Sequence, residues 1–162
     1  MAEVTFRPYR RDDESACLDI FDANCPAFFA PNERAEYEDY LDRVPAGYEV
    51  CEVNARVCGG FGIADAGGGA SVLSWILLSP DVQGMGIGSQ VMNRVMQKSR
   101  QWNAKLIRIA TSPKATEFFG RFGAVSQSIT TDGWGPGMDR VDMELALTPQ
   151  SSPAAKNFTP GR

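Results

Sequence analysis

The sequence predicts an α/β domain built on a mixed, mostly antiparallel, twisted sheet flanked by helices. Short apolar runs of strand length occur, as in Val72–Leu78, and other apolar residues recur at helical spacing, as Ile87, Val91, Met92, Val95 and Met96 do. The two kinds of segment interleave in the order β-αα-βββ-α-β-α-ββ. At 162 residues the chain is long enough for one domain that buries most of its apolar surface, and it holds no internal repeat.

The elements follow in order. Val4–Tyr9 reads as a strand. Asp12 is a plausible N-cap for a helix over Asp13–Asn24, with Cys17, Ile20 and Phe21 facing inward. Pro26 and Pro31 break the segment Cys25–Asn32. A second helix spans Glu33–Val44, with Tyr37, Tyr40, Leu41 and Val44 on one face. Strands at Tyr48–Val53 and Val57–Ala64 are joined by a turn at Asn54-Ala55, and the glycine run 67–69 reads as a flexible loop. After the strand Val72–Leu78 come a glycine loop, a helix over Ser89–Arg100 and a strand over Lys105–Ala110. Thr148–Arg162, rich in Pro, Ser and Ala, reads as a disordered tail that leaves 1–147 as the domain.

Composition excludes several function classes. The formal charge is −4, so a phosphate-neutralising nucleic-acid surface is not expected, and an acidic surface suits a cationic substrate. No apolar run reaches membrane-spanning length and no basic leader precedes one, so no membrane partner is expected and the location expected is cytoplasmic. The chain has no histidine, which removes Ser-His-Asp and Cys-His nucleophile systems and His-bearing zinc sites. Cys17, Cys25, Cys51 and Cys58 show no CxxC spacing, so no metal is expected. Cys51 and Cys58 fall on adjacent predicted strands, where they face each other as a pair or lie as buried free thiols.

The most informative stretch is Gln83-Gly84-Met85-Gly86-Ile87-Gly88, between a predicted strand and a predicted helix. Alternating glycines let backbone approach a ligand, and the first N–H groups of a helix lack chain partners and favour an anion. A phosphate or pyrophosphate is the expected ligand. A Walker loop would need Gly-Lys-Ser/Thr, whereas Gly88 is followed by Ser89-Gln90. A dinucleotide fingerprint would need glycine at position 89 and an acid after the next strand, and neither is present.

The pattern Gln-x-x-Gly-x-Gly after a strand and before a helix resembles motif A of the GCN5-related N-acetyltransferases (GNAT). Lys105–Ala110 (KLIRIA) resembles the family's fifth strand, and Ser112–Gly123 (SPKATEFFGRFG) its short helix and FYxxxGF element. Asp132–Asp139 leading into Val141–Leu147 is similar to the last hairpin of some bacterial members. The resemblance covers about residues 3 to 147 and implies a single GNAT-like domain using acetyl-coenzyme A as co-substrate. By position, the backbone of Ile76, Leu77 and Leu78 holds the pantetheine arm. Gln83 and the N–H groups of Gly84, Met85, Gly86, Ile87, Gly88 and Ser89 hold the pyrophosphate. Ser112, before Pro113, is either a helix cap or a cofactor contact where the family often has Asn.

The resemblance implies transfer of an acetyl group to a primary amine by direct attack, without a covalent acyl-enzyme. A lysine-like amine titrates near ~10.4, so a base is needed, and a strand-four N–H can serve the oxyanion. The chain departs from the family here. Phe119 stands where a tyrosine often acts as acid, beside the cofactor, and Ser71–Ser79 carries no carboxylate. The candidates for acid–base work are Asp132, with Asp139 nearby, and Tyr37 and Tyr40. The acceptor pocket is expected between Asn24–Asn32 and Asp132–Asp139, walled by Phe28, Phe29, Trp75 and Trp134, with Ser74 beside Trp75. The acceptor expected is a small-molecule or peptide amine, and the protein a monomer or homodimer. The rival reading is a non-catalytic acyl-coenzyme A-binding sensor or partner-binding domain; a third is a different phosphate-ligand enzyme.

Overall fold

The computed structural model describes residues 3–148. Seven strands form one sheet: β1 (Val4–Pro8), β2 (Tyr48–Val53), β3 (Arg56–Gly67), β4 (Ala70–Leu78), β5 (Leu106–Thr111), β6 (Val125–Gly135) and β7 (Met138–Ala146). The helices are α1 (Glu14–Ala23), α2 (Glu33–Asp42), α3 (Ile87–Gln101) and α4 (Thr116–Gly120). The spatial order is β1-β2-β3-β4-β5-β7-β6, and β4–β5 is the one parallel pair. α3 supplies the long crossover that a parallel pair needs. The element order and fold class agree with the sequence expectation. The expected tail lies, from residue 149 onward, outside the described residues.

The helices divide between the two faces. α3 and α4 cover a core in which Val91, Met92 and Val95 meet Ile107 and Ile109 of β5 and Val141, Met143 and Leu145 of β7. α1 and α2 cover the other face over β2–β4 only, with Phe21, Tyr37 and Leu41 against Tyr48, Val50 and Leu77. Strand alternation therefore turns Arg108 and Ala110 of β5, and Arg140, Asp142 and Glu144 of β7, toward the face that α1 and α2 leave open. That open face becomes one wall of the site.

Several local expectations change. Asp13, rather than Asp12, secures the start of α1: its carboxylate accepts the Arg10 N–H and both Arg7 guanidinium nitrogens, each at 2.8 Å. α2 stops at Asp42, and Val44 sits past its end at φ +45° with 39% exposure, outside the apolar face. The 67–69 glycines are a tight hairpin turn, since Gly67 pairs with Ala70 and the two residues between have φ of +63° and +82°. Asp132 belongs to a bulged stretch of β6, and the tip of the last hairpin is Gly135–Met138. Cys51 and Cys58 do face each other, as free buried thiols with sulfurs 3.7 Å apart.

Candidate active site

β4 and β5 pair only from Ala70–Leu73 against Leu106–Ile109, and beyond that row they part. The backbone of Ser74–Leu78 thus loses its partner on the β5 side, while Ser74, Leu77 and Leu78 remain paired to β3 on the other. The gap opens into a cleft of about 910 Å³ that Ile76, Leu77 and Leu78 line. An unpartnered strand edge in a cleft suits an extended, amide-bearing ligand. β4 also carries a bulge here. Gly60 faces Leu77 and Gly62 faces Ser74, so Trp75 and Ile76 together oppose Phe61. The bulge reverses the alternation of the strand: Leu73 packs into the α3 core and Leu77 into the α1–α2 core. Trp75 pays for the turn with a φ of +48°.

One end of the cleft meets the glycine loop. Gly84 and Gly86 have φ of +85° and +81°, which only glycine adopts without strain, and no atom lies within 4 Å of where a Cβ would stand. Gln90 donates to the Gly86 carbonyl at 3.2 Å as the first closed turn of α3, so the N–H groups of Ile87, Gly88 and Ser89 precede the helix ladder. No acidic residue occupies that first turn, and Lys98 and Arg100 lie in the last one, so the charges match the macrodipole and leave the N-terminus receptive to an anion. Gln83, Gly84, Gly86, Gly88 and Ser89 line the cleft. Met85 turns its side chain outward and Ile87 buries its own, which leaves their backbone alone to face a ligand. Gly88 is packed against Phe118, whose ring a Cβ would meet at 2.8 Å. Phe119 and Ser112 are buried and line the cleft; Ser112 sits at the N-cap position before Pro113 but makes no side-chain capping bond.

The other end is walled by Phe28, Phe29, Trp75 and Trp134. Phe29 stacks on Trp75 with centroids 6.2 Å apart. Trp134 donates its indole N–H to the Thr111 carbonyl at 3.0 Å, Asn32 donates to the Trp134 carbonyl at 2.8 Å, and the Arg140 guanidinium lies 5.0 Å over the indole. These contacts stitch the loop before α2 to the last hairpin across the mouth of the cleft.

Glu33, which sequence reasoning missed, also lines this half and is 3% exposed. Burial pushes its carboxyl up to about 7, against a single hydrogen bond from the Ala30 N–H at 2.8 Å that favours the charged form. The signal was present in the spacing: Glu33, Tyr37 and Leu41 fall at i, i+4 and i+8, a carboxylate on the buried face of α2.

The residues expected to do acid–base work lie elsewhere. Tyr37 is buried behind Trp75, ring centroids 4.8 Å apart, with its hydroxyl 2.7 Å from that of Tyr48. Tyr40 packs against Trp75 and Tyr48 at the same level. Asp132 is exposed, stands outside the cleft lining, and has its carboxylate taken by the Gly137 N–H, while its own N–H donates to Asp139, each at 2.9 Å. Both aspartates thus close the hairpin. Among the described residues no cluster of three or more His, Cys, Asp or Glu is placed to hold a metal ion, and no helix is long and apolar enough to cross a membrane.

A family model described as the acetyltransferase (GNAT) family matches residues 17–124. No curated protein matches the chain by sequence at a significant level. Among solved structures, a GNAT-family acetyltransferase from Desulfovibrio desulfuricans superposes with a TM-score of 0.73 at 20% identity, over 90% of this chain and 100% of that one. The ribosomal-protein-S18-alanine N-acetyltransferase of Escherichia coli gives 0.72 at 13% identity, over 93% and 99%. The acetyltransferase yncA of Salmonella typhimurium, solved with acetyl-coenzyme A, gives 0.64 at 16% identity, over 93% and 98%. At such identities the likeness to these structures is one of fold.

Proposed function

The chain belongs to the acetyltransferase (GNAT) family and is an acyltransferase, and from that premise we propose that it moves an acetyl group from acetyl-coenzyme A to a primary amine by direct attack. The observation that carries this reading is the continuity of the cleft, from the unpartnered edge of β4 to the unpartnered N–H groups at the start of α3. The first suits the amides of a pantetheine arm and the second a pyrophosphate. Acetyl-coenzyme A supplies an activated thioester. Ile76, Leu77 and Leu78 hold the arm, and Gln83 to Ser89 the pyrophosphate. A backbone N–H of the β4 bulge faces the negative charge that develops on the thioester oxygen.

Glu33 is the residue we assign as base, in place of Asp132, Tyr37 and Tyr40. It lines the acceptor half of the cleft and titrates at about 7. An α-amine, at about 7.7–8.0, lies close to that value, while a lysine amine at about 10.4 is far above it. The match favours an α-amine acceptor. Coenzyme A thiol resembles an ordinary thiol, near ~8.5, so its thiolate leaves without a dedicated acid and Phe119 costs little.

A panel of free amino acids, peptides with free N-termini and N-blocked lysine peptides, read by thiol release from acetyl-coenzyme A, tests the reading. Turnover with an α-amine, lost in Glu33→Gln while acetyl-coenzyme A still binds, is the expected result. Tight binding of acetyl-coenzyme A with no amine acetylated would replace it with the non-catalytic binder.

A further inference from the structure

We propose that Tyr48 is a positioning residue for the acyl transfer, holding the Trp75 carbonyl so that the Ile76 N–H points into the cleft as the oxyanion donor. The proposal rests on the acetyl-transfer reading above and deepens it.

Tyr48 opens β2, two strands away from β4, yet its hydroxyl donates to the Trp75 carbonyl oxygen at 2.7 Å. The strand between them makes this reach possible. A Cβ on Gly60 would meet the Tyr48 hydroxyl at 2.7 Å, and one on Gly62 would meet the same ring at 3.1 Å. Glycine at both positions lets the phenol lie flat across β3 and arrive at the bulge. The bond holds a strained peptide, since Trp75 has a φ of +48° and nothing in its own side chain favours that conformation.

The peptide group is planar and trans, so fixing the Trp75 carbonyl fixes the Ile76 N–H on the opposite side of the same plane. Tyr48 takes the carbonyl on the β3 side. The N–H is therefore directed away from β3, toward the gap left by β5, where Ile76 lines the cleft.

The hydroxyl chain has one possible direction. A carbonyl cannot donate, so the Tyr48 proton is spent on Trp75, and the 2.7 Å contact between the two phenols requires Tyr37 to donate to Tyr48. Tyr37 lies on α2 one turn after Glu33, on the same buried face. The chain from Tyr37 through Tyr48 to Trp75 thus ties the helix that presents Glu33 to the strand that presents the N–H. Tyr48 is fully enclosed by aromatic neighbours, edge-on to Tyr9, Tyr37 and Tyr40, and Tyr48→Phe removes the hydroxyl while leaving that packing in place.

Trp75-Ile76 is the one Trp-Ile pair in the sequence, so labelling tryptophan with carbonyl ¹³C and isoleucine with ¹⁵N gives a single cross peak for this peptide. In Tyr48→Phe that peak is expected to move upfield in the carbon dimension in the ligand-free protein. The thioester carbonyl stretch of bound ¹³C-acetyl-coenzyme A, shifted to lower frequency in wild type, should return toward its free-solution position. Acetyl-coenzyme A affinity should stay within about twofold, and turnover with the amine found in the panel should fall at least tenfold, the scale expected when an oxyanion donor is misaimed. Tyr37→Phe, which keeps the Tyr48–Trp75 bond, should show the same changes in smaller measure and serves if Tyr48→Phe does not fold. An unmoved cross peak, or a moved one with the thioester stretch unchanged, overturns the proposal. Failure of wild type to bind acetyl-coenzyme A overturns the acetyl-transfer reading itself.

Discussion

Glu33 turns a matter of burial into a matter of pH. Unfolded, its carboxyl ionises near the ordinary 4.5, whereas in the fold it keeps its proton up to about 7. Between those values the folded state binds the extra proton. Stability should therefore be highest below the lower value, fall as pH rises through the window, and level off above it. Glu33→Gln stays neutral throughout, so denaturation midpoints of variant and wild type should diverge in the variant's favour from about pH 4.5 to about pH 7. Activity should run the other way. Wild-type kcat/KM should rise through about 7 as the base ionises. In the variant that limb should give way to one at the α-amine's own value, about 7.7–8.0, with about 10²–10⁴ of the rate lost; a limb that stays at the lower position in the variant would assign the base elsewhere. Gly86 makes a second prediction at this scale. Its φ of +81° excludes a β-branched residue without strain, and the space at its Cβ, open in this structure, belongs to the loop to which the proposed reading gives the pyrophosphate. Wild type at 100 times the dissociation constant of acetyl-coenzyme A should gain about 2.7 kcal/mol of stability. Gly86→Val should fold cooperatively and gain none, as read by thermal shift. Both residues differ in how far the sequence announced them. The glycine loop speaks through adjacent residues, while Glu33 is one carboxylate among many until the turn of α2 is known to be buried.

At the scale of elements, legibility followed the range over which each signal acts. Strand, glycine loop and α3 were readable because their determinants lie within a single turn or strand. The bulge in β4 was not, because nothing near Trp75 calls for a positive φ; the hydroxyl that meets it comes from a tyrosine on β2, past two glycines on β3, brought together only by the sheet. The end of α2 misled for a related reason. Val44 continues the apolar period, yet Leu41 already completes the buried face and the chain turns away. Phe28 and Phe29 of the α1–α2 segment and Trp134 of the last hairpin line one cleft, and Asn32 ties the two sides together. Removing that side chain leaves the Trp134 carbonyl without its donor, an effect of about 1 kcal/mol on stability. Asn32→Ala should raise the acceptor KM several-fold while calorimetry finds acetyl-coenzyme A affinity unchanged. Equal weakening of both ligands would mean that the hairpin supports the whole cleft and not the acceptor wall alone.

For the molecule as a whole, the decisive asymmetry is that α1 and α2 cover only the β2–β4 half of their face, so the parting of β4 from β5 opens onto bare sheet on that side and onto the start of α3 at its far end. The order of elements could be read from the sequence. The uncovered half could not, since it depends on where two short helices stop. In the proposed reading, one continuous cleft takes both substrates at once, the thioester along β4 and the amine beside the aromatic wall. The cleft offers no thiol for a covalent relay. None of the four cysteines lines it, and burial holds the Cys17 thiol up to about 11 and raises that of Cys25 as well. Steady-state rates over a grid of acetyl-coenzyme A and amine concentrations should therefore give intersecting double-reciprocal lines, as a ternary complex requires. Mass spectrometry of protein incubated with acetyl-coenzyme A alone should find no acetyl group on the chain at any time short enough to match turnover. Parallel lines, together with an acetylated residue that forms and decays at the turnover rate, would show that the transfer passes through the protein and that the direct attack assigned to the Glu33-activated amine is wrong.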